Sequence, residues 1–383
     1  MTKRLYERDA YCREFTATVV SCEQDGEVYR VVLDQTAFFP EGGGQAADEG
    51  TLNGEAVQDV QLKDGEVVHT VSAPLAVGST VHGCLNWPLR FERMQSHAGE
   101  HIVSGVVHRL FGYDNVGFHM SEALMTVDFN GPLSAEDLET VEREANAAVW
   151  QNAAITVSFP TPEEQATLTY RSKLENIDDL RLVTMEGIDC CACCAPHPAR
   201  TGEIGLVKIV DSIPYKGGTR ITMLAGKHAL ADYAALNRVN KSLMKLLSAP
   251  REAVAEAVNR HVEAEQTLRA ENQQLLKRVA LCELKPIAVN GSVMAATADI
   301  GFDEMRYCAN TLMENDTKAC VLLSAVGEGY LYVAAGDAAV VKAVVTLLNT
   351  QFGGKGGGKP NYAQGKVPSK SAEELLAAVE ALL

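Results

Sequence analysis

The sequence lacks the features of a membrane or exported protein. It contains no run of about 18 apolar residues, the length that a membrane-spanning helix needs. Its first residues, MTKRLYERDAYCREF, are too polar for the apolar core of a signal peptide. We therefore expect a cytoplasmic protein that does not bind membranes.

Positive charge is also scarce, because 34 Lys and Arg stand against 50 Asp and Glu, for a formal net charge of −16. Nucleic-acid binding depends on local clusters of Lys and Arg where the phosphate backbone runs. The negative net charge alone therefore does not exclude an RNA partner. Whether the protein can bind RNA depends on where its basic residues cluster.

The chain has 10 cysteines but lacks a disulfide framework. Four of them fall within one short run, at Cys190, Cys191, Cys193 and Cys194. Adjacent cysteines pair poorly, and a reducing cytosol would not keep disulfides. Reduced thiols indicate metal ligands or small buried side chains. An iron–sulfur site is less favoured, because such motifs space their cysteines more widely.

Length and patterning predict several domains of α+β class. A chain of 383 residues exceeds one ordinary core. β-rich runs separated by turn pairs such as Asp25-Gly26 predict an N-terminal β-barrel over 1–86. Helices mixed with an antiparallel sheet predict an α+β domain over 87–230, and a C-terminal α/β domain is predicted over 285–383.

The segment 231–284 is predicted to be a helical linker. After a break at Ser248-Ala249-Pro250, its apolar residues alternate by four and three, as in a heptad seam. Two interpretations stay open, a helical hairpin that folds on itself and a coiled coil between two copies. This linker and the C-terminal domain are the candidate interfaces of a homodimer.

Two pairs of candidate metal ligands occur far apart in the chain. His97 and His101 lie four residues apart in a helical pattern, so both imidazoles project from one face. Cys193 and His197 lie in CCAPH, where a turn can direct both side chains at one point. Thiolate and imidazole donors favour zinc over magnesium or calcium. Four protein ligands would close a structural site, whereas catalysis needs a position for water, and both remain open.

The stretch DQTAFFPEGGGQAADEG, at 34–50, is a candidate ligand-binding loop. Gly42, Gly43 and Gly44 let a backbone approach a ligand closely and expose its N–H groups. A tight turn of the barrel would need the same residues, so the pattern alone leaves both interpretations open.

Taken in order, these motifs resemble the editing domain of alanyl-tRNA synthetase and its free-standing relatives, the AlaX proteins. TAFFPEGGGQ, HAGEH and the CxxxH element before RTGEIG carry the resemblance. FGGKGGGKPNYAQGK, at 352–366, is similar to the glycine-rich element of the synthetase's C-terminal domain, which contacts tRNA in this family. The resemblance covers nearly the whole chain and implies the long AlaX form.

The resemblance implies a zinc-dependent hydrolase that edits tRNA(Ala) charged with serine or, second, with glycine. Its implied zinc ligands are His97, His101, Cys193 and His197. Gln45 matches the family's active-site glutamine, and Thr36 falls where the family can place a hydroxyl beside a serine side chain. A separate editing site is needed because a synthetase pocket rejects an added hydroxyl only about 10²-fold.

One position departs from the family pattern inside the second motif. Glu100 stands where the synthetase usually has a small hydroxyl residue. Its carboxylate is a candidate catalytic base or water-orienting group. The alternatives are a solvated helix residue and an altered amino-acid selectivity.

Basic residues cluster where the resemblance places the tRNA contact. The stretch 353–370 has no acidic residue and carries Lys355, Lys359, Lys366 and Lys370. We expect the tRNA backbone to lie against Lys355, Gly356, Gly357, Gly358 and Lys359. Tyr362 is placed to stack on a base. A second basic stretch, Lys216, Arg220 and Lys227, is a weaker candidate, since ordinary solvated side chains would give the same pattern.

Two other functions compete with that of an editing hydrolase. A phosphoesterase can carry the same type of C-terminal domain, but it would need an Asp-His-His motif, which the sequence lacks. A non-catalytic zinc protein that binds tRNA, with four ligands closing the ion, also fits the sequence.

Overall fold

The computed structural model describes residues 1–121, 124–172, 180–314, 316–368 and 371–383, which form two compact units, Met1–Ser242 and Leu243–Leu383. Helices and several sheets confirm the mixed α+β class. Within the described residues, every helix is too short or too polar to cross a membrane. The predicted domain boundaries remain predictions.

The first unit begins with β-strands, six of which close into a barrel in the order β2-β3-β7-β6-β5-β8. The strands are β1 (Lys3–Arg4), β2 (Glu14–Asp25), β3 (Val28–Leu33), β4 (Gln35–Thr36), β5 (Gly50–Leu52), β6 (Glu55–Lys63), β7 (Glu66–Val71) and β8 (Thr80–Leu85). Alternation along β2 buries Phe15, Ala17 and Val19 inside the barrel. Asp64 and Gly65 both take positive φ, as the tight hairpin between β6 and β7 requires.

The rest of the first unit is built around a 25-residue helix, α1. The elements are α1 (Trp87–Phe111), β9 (Asn115–Met120), β10 (Met125–Phe129), α2 (Ala135–Trp150), β11 (Ile155–Ser158), α3 (Pro162–Gln165), β12 (Leu182–Met185), β13 (Asp189–Ala192), β14 (Val207–Tyr215), β15 (Gly218–Ala225) and α4 (Gly226–Leu247). The strands form one sheet in the order β14-β15-β10-β9 and another in the order β11-β12-β13. Their apolar faces share a core with α1 and α2.

Two glycines of α1 allow neighbouring elements to approach the helix closely. A Cβ at Gly99 would lie 2.7 Å from the Cβ of Ala225 in β15. A Cβ at Gly105 would lie 2.8 Å from the carbonyl oxygen of Ile188 and 2.9 Å from the Cβ of Asp189. The second contact brings the start of β13, and the cysteine run that follows it, against the helix that carries the histidines.

The second unit contains a six-stranded sheet in the order β16-β17-β18-β19-β21-β20. Its elements are α5 (Val254–Glu283), β16 (Ile287–Val289), β17 (Ser292–Ala298), α6 (Phe302–Met313), β18 (Ala319–Val326), β19 (Gly329–Gly336), α7 (Ala338–Gln351), β20 (Lys355–Lys359), β21 (Tyr362–Val367) and α8 (Ala372–Glu380). One face of the sheet packs with α7 and α8, and the other packs with α6 and the end of α5. Apolar residues of the predicted seam in α5, including Leu268 and Leu275, are exposed. The hairpin and the coiled coil both stay predictions.

Thr36 lies within the barrel, where it is fully buried. Its Oγ1 lies 2.9 Å from Nε2 of His69 and accepts a hydrogen bond from the backbone N–H of Phe38. Nδ1 of His69 lies 3.2 Å from the carbonyl oxygen of Val31, so that nitrogen carries the proton and Nε2 accepts from Thr36. Thr36 therefore links β4 to β7 of the barrel, and no contact in the described part of the chain supports its predicted place beside a serine side chain.

We expect the His69–Thr36 pair to make the stability of the first unit depend on pH. Burial lowers the pKa of His69 from 6.5 to about 4. The unfolded chain takes up a proton below about pH 6.5, whereas the folded chain resists protonation until about pH 4. The contribution of His69 to the free energy of unfolding is therefore fully present above pH 6.5. It falls by about 3 kcal/mol as the pH drops to 4.

His69→Gln should remove that part of the pH dependence, because glutamine does not titrate. Both tryptophans, Trp87 and Trp150, lie in the first unit, so their fluorescence follows its unfolding in urea. Unfolding curves at pH 7 and pH 4.5 compare the two proteins. An equal loss of stability in both would contradict the assignment.

Candidate metal centre

His97, His101, Cys193 and His197 meet at one point inside the first unit. Their ligand atoms all lie within 4.8 Å of one another. Sγ of Cys193 is 3.6 Å from Nε2 of His97 and 3.4 Å from Nε2 of His197. All three imidazoles are buried. The structure thus brings together the helical pair from α1 and the pair that follows β13.

The protonation states of Cys193 and His197 suit a metal ion. Burial alone would raise the pKa of the Cys193 thiol, but the imidazoles of His97, His197 and His101 hold that pKa well below its usual value. A thiolate is the form that binds metals. Burial lowers the pKa of His197 to about 3, which keeps its imidazole neutral. One thiolate and three imidazoles are compatible with zinc.

Gln45 fixes the orientation of His97. Its Oε1 accepts a hydrogen bond from Nδ1 of His97 at 2.9 Å, which leaves Nε2 of the imidazole to face Cys193. Such a partner fixes the tautomer of a metal-binding histidine. Nε2 of Gln45 is buried and donates to no acceptor among the described residues. An unpaired buried donor costs about 1–3 kcal/mol, so Gln45 is a candidate to bind a substrate.

The glycine loop is a tight turn that also forms a wall of the site. Gly42 and Gln45 exchange both backbone hydrogen bonds at 3.0 Å. Gly43 and Gly44 between them take φ of 59° and 81°, as a type I′ turn requires. A Cβ on Gly44 would lie 2.7 Å from the ring of Phe118. Gly43 itself lines the cavity of the metal centre, and the ligand-binding role of the loop stays a prediction.

A buried carboxylate stands behind His101. Oδ2 of Asp189 lies 3.3 Å from Nδ1 of His101, an ion-pair distance without hydrogen-bond geometry. Arg171 donates to both oxygens of Asp189, at 2.7 and 2.8 Å. Burial disfavours a charged His101, but the Cys193 thiolate and Asp189 raise the pKa of His101 well above its usual value. Neither Asp189 nor Arg171 was predicted from the sequence.

Cys191 also lies near His101 and Asp189, with ligand atoms within 4.8 Å of one another. Arg171 already occupies both oxygens of Asp189. Burial raises the pKa of the Cys191 thiol to about 11, so its metal-binding thiolate is disfavoured. These three side chains are therefore better suited to support the four candidate ligands than to bind a second metal ion.

Arg181 holds the loop that carries Cys193. Its guanidinium donates to the carbonyl oxygens of Cys193 and Ala195, at 2.7 and 2.9 Å. This clamp fixes the backbone of the CxxxH element. Arg181 was not recognised from the sequence, because its partners are backbone atoms that lie far from it in the chain.

Glu100 points into the interior and is only 4% exposed, which excludes a solvated helix residue. Its Oε1 accepts hydrogen bonds from Oγ of Ser104 and from Nδ2 of Asn115. Glu100, His97 and His101 line the same cavity, which measures about 1110 Å³. Binding cavities for small ligands commonly measure about 300–1,000 Å³, so this one is large enough for the end of a tRNA.

The second basic stretch is largely neutralised by acidic neighbours. Arg220 donates to both oxygens of Asp128, at 2.6 and 2.7 Å. Lys227 forms an ion pair with Glu92. Two of the three predicted cations are therefore already paired with carboxylates of the protein. This pairing makes a phosphate contact at the second basic stretch less favourable.

The predicted tRNA contact forms a strand, β20, at the edge of the sheet of the second unit. Lys355 and Lys359 are exposed at its two ends. A Cβ on Gly356 would lie 2.0 Å from the Tyr332 hydroxyl, whereas a Cβ on Gly357 would meet nothing within 4 Å. Gly356 is therefore required for packing, and Gly357 leaves the outer surface open. Lys370 lies outside the described residues.

Three protein-family models match parts of the chain. The model of class II (A) tRNA synthetases matches residues 11–89. The threonyl and alanyl tRNA synthetase second additional domain matches residues 180–222, a range that includes Cys193 and His197. The DHHA1 domain matches residues 290–383.

Relatives match the chain over nearly its full length. The alanyl-tRNA editing protein Aarsd1 of Rattus norvegicus is 29% identical over 99% of this chain and 97% of its own. The alanyl-tRNA editing protein AlaX-L of Pyrococcus horikoshii is 25% identical over 100% of this chain and 98% of its own. The alanine–tRNA ligase of Thermococcus kodakarensis is 31% identical over 100% of this chain but 44% of its own length. These similarities confirm the resemblance that the motifs indicated.

We expect Asp189→Asn to weaken zinc binding by roughly 10- to 100-fold, because loss of a partner behind a metal ligand has that effect. Competition with a chromogenic chelator measures the zinc affinity directly, without any substrate. Asp128→Asn is the matched control, since Arg220 holds Asp128 in the same two-pronged geometry away from the cluster. Equal zinc affinities in the two variants would show that Asp189 has no such role.

Proposed function

We propose that this chain, a relative of the alanyl-tRNA editing proteins along nearly its whole length, is a zinc-dependent deacylase that hydrolyses mischarged tRNA(Ala) in trans. The observation that carries the proposal is the convergence of three imidazoles and one thiol, of which His97, His101 and Cys193 line a large cavity. The names of the relatives suggest the substrate class, and this cluster is suited to ester hydrolysis.

When bound, zinc supplies a Lewis acid that polarises an ester carbonyl and lowers the pKa of water to about 7. The backbone N–H of Gly43, on the cavity wall, has no backbone acceptor in the described part of the chain and is our candidate to stabilise negative charge on the ester oxygen. Gly42 is not a candidate, because its N–H donates to the carbonyl of Gln45.

Serine would be distinguished from alanine by Gln45. A serine hydroxyl can accept from Nε2 of Gln45, the buried donor without a partner, whereas alanine would leave that donor unpaired. Ser-tRNA(Ala) is therefore the proposed substrate, with Gly-tRNA(Ala) second. Thr36 has no part in this proposal, because its hydroxyl is bonded to His69.

One observation favours a second candidate function, a non-catalytic zinc protein that binds tRNA. Four donors lie within reach of one ion, and four protein ligands close a tetrahedral structural site. Catalysis requires that one ligand leave or that the coordination expand. Turnover, rather than metal content, distinguishes the two functions.

The strand β20 is our proposed contact for the tRNA backbone. Lys355 and Lys359 supply positive charge at its ends, and the open surface at Gly357 lets a phosphate approach the chain. Tyr362 in the neighbouring strand lies beneath the guanidinium of Arg306, 5.5 Å from the ring centre. A base stacking at this place would meet a cation and an aromatic ring together.

We expect rapid hydrolysis of Ser-tRNA(Ala), slow hydrolysis of Ala-tRNA(Ala), and loss of activity with a zinc chelator. Cys193→Ala should reduce turnover by more than roughly 10- to 100-fold. That is the effect of losing a side chain that only supports a metal ligand, whereas Cys193 is itself a candidate ligand. Cys282→Ala, at an exposed cysteine of α5, is the control. Intact zinc and tRNA binding without hydrolysis of either substrate would sink the catalytic proposal and favour the structural zinc.

Lys355→Ala and Lys359→Ala should weaken binding of tRNA and lower the salt dependence of log K by about one unit for each lost phosphate contact. Fluorescence anisotropy of labelled tRNA at several salt concentrations measures both quantities. Lys342→Ala removes an exposed lysine of α7 and is the control. Unchanged salt slopes in the β20 variants would place the RNA elsewhere.

A further inference from the structure

The cavity of the metal centre is lined by three carboxylates among the described residues, Glu100, Asp114 and Asp189. Asp189 is neutralised by Arg171, which donates to both of its oxygens. Asp114 is largely exposed and lies 3.0 Å from Nδ1 of His108. Glu100 alone is buried and forms no ion pair with any described side chain.

The cations that line this cavity are committed to other partners. Arg109 pairs with Glu144 at 3.2 Å. Arg181 donates to the carbonyl oxygens of the cysteine loop, and Arg171 is bound to Asp189. A buried carboxylate is costly unless a positive charge accompanies it. Within the described residues, none of these three cations pairs with the carboxylate of Glu100.

The carboxylate of Glu100 is held in one orientation. Both of its hydrogen bonds, from Ser104 and Asn115, fall on Oε1. Oε2 accepts none from the residues that the structure describes, and the side chain lines the cavity. Two donors on one oxygen fix the group and leave the other oxygen for a ligand.

The proposed substrate carries a positive charge that such an oxygen can bind. Every aminoacyl ester has an α-ammonium group two bonds from the carbonyl carbon that is attacked. Glu100 lines the same cavity as the candidate ligands His97 and His101. A carbonyl placed beside His97 and His101 therefore brings its α-ammonium group near Glu100. A charge-assisted hydrogen bond of this kind is stronger than a neutral one.

We propose that Glu100 binds the α-ammonium group of the aminoacyl ester and so selects substrates with a free amino group. This inference rests on the proposed function and extends it to the substrate class. Esters whose amino group is acylated, as in peptidyl-tRNA, would be disfavoured. The proposal differs from a catalytic base, which would act on charged and neutral substrates alike.

The test compares Ser-tRNA(Ala) with glyceryl-tRNA(Ala), in which a hydroxyl group replaces the α-ammonium group of serine. The wild-type protein should favour Ser-tRNA(Ala) by roughly 10- to 100-fold in kcat/KM, after correction for the alkaline lability of each ester. Glu100→Gln, which keeps an acceptor for Ser104 and Asn115, should lose most of this preference. Glu100→Asp should retain part of it, and Asp114→Asn, at a second cavity carboxylate, should retain all of it.

A second measurement does not depend on turnover. Isothermal titration compares a stable 3′-seryl-amide of adenosine with its glyceryl-amide, on proteins whose zinc content has been measured. The wild-type protein should bind the seryl compound more tightly, and Glu100→Gln should bind both equally. A base would leave this binding preference intact in the variant.

The outcomes separate this inference from the proposed function. Equal slowing of both esters by Glu100→Gln, with an unchanged binding preference, would overturn the role of Glu100 and indicate a base. If Glu100→Gln loses zinc and binds both amides equally more weakly, the proposed role of Glu100 is overturned. The carboxylate would then serve to stabilise the bound metal. Preferred binding of the seryl amide by a wild-type protein that hydrolyses no ester would sustain the inference while the proposed function fails.

Discussion

A helix that carries ionisable side chains through an apolar core sets the constraint on which the first unit depends. In α1 the stretch from Ser96 to Ser104 is buried throughout, and it includes two imidazoles and a carboxylate. Buried polar groups are costly unless they have partners. Gln45, Asn115 and Asp189 supply those partners from the glycine turn, from β9 and from β13. Three separate elements are thereby fixed against one helix.

The ligands of the candidate site were predictable because their spacing is local. His97 and His101 share a face of any helix, and the CxxxH element lies on one turn. Asp189 and Arg171 were missed because their roles arise only when β13 packs against Gly105 of α1. Motif order could not reveal that Thr36 is hydrogen-bonded within the barrel, since its partner His69 belongs to another strand.

The fold shows the same division between local and tertiary causes. Asp64-Gly65 forms the hairpin turn that its residues favour, and α1 ends before Gly112, which takes the left-handed conformation common at helix ends. The glycines of 355–359 were predicted to lie against the tRNA backbone, and the structure gives Gly356 a further role, because the Tyr332 ring lies directly against it. This packing holds the glycines of β20 in a strand, although glycine has a low preference for strands. Arg220 is similarly explained by Asp128, which lies far away in sequence.

The amide group of Gln45 joins two functions in a single rigid plane. One end is tied to the imidazole of His97, and the opposite end is the unpaired donor. An amide that turned over would present a carbonyl oxygen to a ligand in place of an N–H, and would place its NH₂ group against the protonated Nδ1 of His97. The histidine therefore dictates whether the free end of the Gln45 amide is a donor or an acceptor. The recognition of a hydroxyl that we propose for Gln45 therefore depends on which nitrogen of His97 carries the proton.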